Sequence, residues 1–173
     1  MVGAIRVLSA LPVLRWPLAG GLFAIGMDLA DLALFTYLGF GWPPDYQQFD
    51  KVADMAYLLA FLAVALRWRR PEREVAVGLF AVRMVGVLAF TWSGQRAALL
   101  LAPNLFEAWF LLVAARDRFR PGLAFTPRRL ALALLALLAL KLPQEYLLHV
   151  DRRLDHYALA DVVDQLLRRA GRR

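Results

Sequence analysis

Apolar residues in this chain gather into long runs, separated by short turns rich in arginine or proline. Crossing about 30 Å of hydrocarbon takes roughly 17–25 helical residues. Five runs approach or reach that length, at 17–40, 52–68, 75–92, 97–115 and 130–150. None shows period-two alternation, so they predict helices and not the strands of a barrel. Trp16, Trp42, Trp68 and Trp92 fall at run ends, where an interfacial aromatic belt sits, while Trp109 lies inside the fourth run. The pattern predicts an all-α, polytopic integral membrane helical bundle. Residues 1–150 would form about five transmembrane helices, and residues 151–173 a basic tail. In that tail Leu159, Val162, Val163 and Leu166 share one stripe, which predicts an amphipathic helix against the membrane surface or a partner. Residues 1–14 suit a short interfacial helix. Arg6 and Arg15 interrupt the opening segment, so the first run reads as a retained anchor and not a cleaved signal.

Composition agrees with this class. The chain is 61% hydrophobic and 20% charged, with mean hydropathy +0.52. A soluble domain carries about 45–50% apolar and about 25% charged residues, so too little polar surface remains to coat a water-soluble globule. A net charge of +7 raises the question of nucleic acid. The arginines sit in clusters between apolar runs and not along one face, which points to the lipid bilayer as the partner instead. The chain has no cysteine and two histidines, and it lacks P-loop, dinucleotide, HExxH and GxSxG motifs. No cofactor and no metal are expected.

Charge distribution in the turns predicts orientation. Eleven basic residues lie in the N-terminal segment (Arg6, Arg15), in RWRRPERE (Arg67, Arg69, Arg70, Arg73) and in RDRFRPGLAFTPRR (Arg116, Arg118, Arg120, Arg128, Arg129). The alternate loops hold only Lys51 and Arg96. The positive-inside rule therefore puts the N-terminus in the cytoplasm, with the cell (inner or plasma) membrane as the location. Five spans leave the C-terminal tail outside, although it carries six arginines, offset in part by four aspartates.

The chemistry lies inside the runs. An ionisable residue within a span costs about 2.5–3.5 kcal/mol, so each marks a candidate site. Asp28 and Asp31 lie in the first run, Arg83 in the third, Asn104 and Glu107 in the fourth, and Lys141, Gln144 and Glu145 in the fifth. Asp54 and His149 sit nearer run ends. Counting along each run puts Asp28, Arg83, Glu107 and Lys141 at one depth. Lys141, Glu145 and His149 are spaced i, i+4, i+8 and share a helix face. The bland alternative pairs Arg83 with Asp28 or Glu107, and Lys141 with Glu145, to fix helix register and nothing more. Four deep carboxylates against two bases leave a surplus that would take a proton or attract a cation. Pro103 and Pro143 are expected to break their helices beside these groups, as in helices that line binding cavities.

The leading expectation is a small multi-pass transporter or channel-like protein. It would handle protons, a cation or a small polar solute through this charged layer. Five spans fit poorly with an inverted repeat, which favours a homo-oligomer. The alternative is an intramembrane enzyme acting on a lipid or isoprenoid, with Glu145 and His149 as its acid–base pair. A third reading is a non-catalytic assembly subunit whose buried pairs specify helix contacts.

Overall fold

A computed structural model describes residues 7–37, 46–95 and 97–149; at 29, 31–37, 46–54 and 144–149 it describes the backbone alone. All regular structure among the described residues is helical: a 3-10 turn at Leu11–Leu14, then α1 (Pro17–Tyr37), α2 (Tyr46–Ala65), α3 (Glu72–Ser93), α4 (Ala97–Leu101), α5 (Leu105–Phe119) and α6 (Pro127–His149). The expected tail helix and Trp42 lie outside the described residues.

Local sequence explains most boundaries. Pro17 and Pro127 open α1 and α6 at a position where the missing N–H costs nothing. Before α6, the Thr126 hydroxyl accepts from Arg129 N at 3.4 Å, a side-chain cap. Glu72 and Glu74 sit in the first turn of α3, where the helix dipole favours acids. The same helix stops at Gly94, whose φ of +67° is left-handed, and the Gly94 N–H donates to Phe90 O at 2.8 Å. The second helix begins at Tyr46, six residues before its apolar run. Hydropathy marks only the apolar part of the helix, which also continues through the polar YQQFDK segment.

Two prolines act differently. Pro103 splits the fourth run into α4 and α5, so residues 97–115 are not one helix. Pro143 does not break α6, which continues from Pro127 to His149. Pro103 is followed by Asn104, a residue that caps a new helix; Pro143 is flanked by Leu142, Gln144 and Glu145, which favour continuing the old one.

The 3-10 turn packs on α1 and α2, α5 touches α1, α2, α3 and α6, and α6 rests on α4 and α5. Leu58 and Phe61 of α2 meet Phe106, Trp109, Phe110 and Val113 of α5 at full burial. A chain of rings, Trp68–Phe110–Phe61–Phe106–Phe80, runs through this contact, with Phe61 and Phe110 stacked at 3.9 Å. Gly20 lies so close to the backbone of Pro12 and Val13 that a Cβ would collide with it. The glycine thus seats the 3-10 turn against α1.

Around an apolar core, the surface also carries large apolar side chains. Trp92, Leu101, Leu140 and Val85 are 91%, 84%, 73% and 67% exposed, whereas Arg83 and Asn104 are buried. Extended apolar surface on helix faces needs a non-aqueous neighbour. Among the described residues two helices are long and apolar enough to cross a membrane, Glu72–Ser93 and, taken through its break, Ala97–Phe119. The first, at 22 residues, is about 33 Å long at 1.5 Å per residue, close to a hydrocarbon core.

Candidate functional site

The site is built around the break at Pro103. With no N–H to give, and with steric pressure on Ala102 ahead of it, Pro103 ends α4 and forces a fresh start. Asn104 supplies that start. Its Oδ1 accepts from the Glu107 backbone N–H at 3.4 Å, and its Nδ2 donates to Glu107 Oε2 at 2.8 Å. Cap and acid thus hold each other across the first turn of α5, where the dipole favours a carboxylate.

Two more donors reach the same carboxylate. The Tyr57 hydroxyl of α2 donates to Glu107 Oε2 at 3.3 Å, and Lys141 Nζ of α6 lies 3.7 Å from Oε1. Glu107 and Lys141 side chains are each 15% exposed. One glutamate therefore ties α2, α5 and α6 together at the helix break. Arg83 approaches from α3 and is 4% exposed. Its Nη1 donates to the Ala102 carbonyl at 3.4 Å, and its Nε has no hydrogen-bond partner. One turn along, Gly86 lets α3 close onto Ala102, whose Cβ would overlap any side chain there.

Of the polar residues expected inside the runs, Asn104, Glu107 and Lys141 come together, and Arg83 lies at the adjoining break. Among the described residues Lys141 pairs with Glu107, and Arg83 faces a backbone carbonyl and the carboxylate of neither Asp28 nor Glu107; a Lys141–Glu145 pair falls outside them. Sequence spacing reveals neighbours on one helix, but it carries no information on which faces of different helices meet. Asp28 on α1 is half-buried, with Oδ1 shielded from solvent. Gly21 packs against Phe110 and Leu111, and Trp16 and Leu18 line a groove with Ala114 and Phe119, so α1 and α5 run antiparallel. Asp28 is then two turns from Gly21, toward the end of α5 that holds Asn104. The side chains of Asp31, Asp54, Gln144, Glu145 and His149 lie outside the described residues.

Two participants escaped the sequence reading. Tyr57 stands within the apolar AYLLAF, and a phenol in such a run calls for a polar partner. The other is a buried anchor. Glu72, 6% exposed, pairs with Arg116, and its backbone carbonyl accepts from Trp109 Nε1 at 3.2 Å. Arg116 also lies over the Phe125 ring, 4.9 Å to its centre, and donates to Leu123 O at 3.1 Å. This anchor pins the 120–126 loop to the start of α3. It explains why Trp109 stands inside a run and not at its end.

Chemically, the Glu107 carboxylate accepts from Asn104 and Tyr57 and pairs with Lys141, so it is largely committed. Uncommitted capacity remains on Arg83, whose Nε has no hydrogen-bond partner. Among the described residues no three His, Cys, Asp or Glu gather closely enough to hold a metal ion. Comparison of the chain with protein-family models, curated proteins and solved structures finds no match.

Proposed function

We propose that the chain is a five-span protein of the cell membrane, N-terminus in the cytoplasm, that passes a small polar solute or an ion along the cluster around Glu107. The observation that carries the reading is Arg83. A guanidinium serving only to fasten helices would have its donors matched by a carboxylate. Here one donor reaches a carbonyl at 3.4 Å and Nε reaches none, in a residue 4% exposed. Unmatched donors on a buried charge are costly, and a passing polar group offsets that cost. Its position beside a broken helix supports the same reading, since irregular backbone at membrane depth is tolerated where it lines a pathway.

One observation favours a second reading. Arg83 also caps the carbonyl left at the end of α4, as a scaffold residue of an assembly subunit would. Flux separates the two. Proteoliposomes of the wild type, Arg83→Lys and Arg83→Met would be tested with protons, monovalent cations, amino acids and small carboxylates. The wild type should exceed empty liposomes for at least one of these. Arg83→Met, checked for folding by gel filtration, should lose at least about tenfold, the effect of one charged hydrogen bond. Undiminished flux in a folded Arg83→Met protein would remove Arg83 from the pathway. No flux from the wild type would favour the scaffold, or an intramembrane enzyme acting on lipid.

A further inference from the structure

A second feature lies at the opposite end of α5. Where α1 begins and α5 ends, a groove of about 570 Å³ opens between them, with Trp68 alongside. Its lining combines apolar side chains, among them Leu18, Leu22 and Ala114, with the rings of Trp16, Trp68 and Phe119. Trp16, Phe119 and Leu22 are 62%, 72% and 55% exposed, a cost in water but not against acyl chains. Two arginines, Arg15 and Arg118, stand at the same groove. The acid beside them, Asp117, is held by Arg116 at 2.7–2.8 Å. Local charge at the groove is therefore positive.

From this arrangement we infer that the groove is a binding site for one anionic phospholipid, its phosphate on Arg15 and Arg118 and an acyl chain along the apolar lining. Charge complementarity decides the class of occupant. A guanidinium offers paired donors that fit phosphate oxygens, and two of them on an apolar cleft match a ligand with an anionic head and a hydrocarbon body. Position agrees, because the tryptophans and Phe119 stand at helix ends, where aromatic rings sit at headgroup level. The inference uses the membrane reading of the helices but not the transport proposal. It stands or falls separately from Arg83 and flux.

The test uses the full chain purified in detergent, with native mass spectrometry as readout. Phosphatidylglycerol and phosphatidylcholine with identical acyl chains are offered in turn. The wild type should retain one phosphatidylglycerol in preference to phosphatidylcholine. Arg15→Gln/Arg118→Gln should weaken that retention on the order of tenfold. A control of equal charge loss on exposed arginines that do not flank a lining residue, Arg70→Gln/Arg128→Gln, should leave it within about twofold, since screened surface charges contribute little. Equal weakening in the control would reduce the effect to diffuse attraction and overturn the site. Equal retention of phosphatidylcholine would overturn the role of the phosphate. Displacement of the lipid by millimolar inorganic phosphate would overturn the role of the acyl chain.

Discussion

Glu107 and Lys141 are the pair at which single side chains matter most. Each is 15% exposed, so solvent screens them little. Removing one partner of such a pair strands the other charge, whereas replacing both with apolar residues is often neutral. Lys141→Leu should therefore destabilise the protein by about 3 kcal/mol. Glu107→Gln/Lys141→Leu, which removes both charges but keeps an acceptor for Asn104 and Tyr57, should recover most of that loss, read as the denaturant midpoint in micelles. A double mutant no more stable than Lys141→Leu would mean that the two side chains are not coupled. The existence of this pair was half legible. Both residues stand in mid-run, so their burial could be read from position. Their pairing could not, because Lys141 has an i+4 acid in Glu145 that the sequence offers first. Glu72 and Arg116 were hidden for a related reason: each sits in a turn crowded with exposed charges, 44 residues from the other.

Helices were legible as elements, because a membrane-length apolar run has few other ways to satisfy its backbone. Their breaks were less so. Pro103 and Pro143 look alike in sequence, and only the first ends a helix, since only the first is followed by a capping side chain. At that break α3 approaches closely through Gly86, and a volume argument gives a test. Gly86→Ala sets two methyl groups against each other and should destabilise the protein, by about 1–3 kcal/mol for an overpacked core site. Gly86→Ala/Ala102→Gly moves the methyl across the same contact and should restore most of the loss. Failure of the swap to restore stability would show that the constraint lies in the backbone and not in the methyl overlap. Asn104 and Arg83 depend on this contact, so flux should follow the same order as stability.

At the scale of the whole molecule, the structure collects the basic segments that sequence assigned to one side. Trp16 and Leu18 meet Ala114 and Phe119, and Glu72 meets Arg116. If that end faces the cytoplasm, reporter tags at residue 1 and within 116–129 should be protected in sealed, right-side-out cells, and a tag in 41–51 should be accessible. An inaccessible tag at 41–51 would reverse the orientation. The bundle's apolar outer surface was predictable, because the long apolar runs leave too few polar residues to cover it. Its interior was not, since leucine and alanine report depth but not direction.

The ring chain from Trp68 to Phe80 divides the molecule by stiffness. The three inner rings, Phe61, Phe106 and Phe110, touch at full burial, with Trp68 and Phe80 partly buried at the ends. Close-packed rings deform little, so α2, α3 and α5 are expected to move as a block. By contrast, α6 has no fully buried residue among those with described side chains. Its LALALLALLAL stretch sets Leu130, Ala133, Leu134 and Leu137 against the core only at partial burial, and Lys141 adds an ion pair to Glu107. Compliance is therefore expected to be greater at α6 than within the block. A cysteine-free chain makes this readable by spectroscopy. Spin labels placed on α2 and α5 should give a narrow distance distribution, and a label on α6 a broader one.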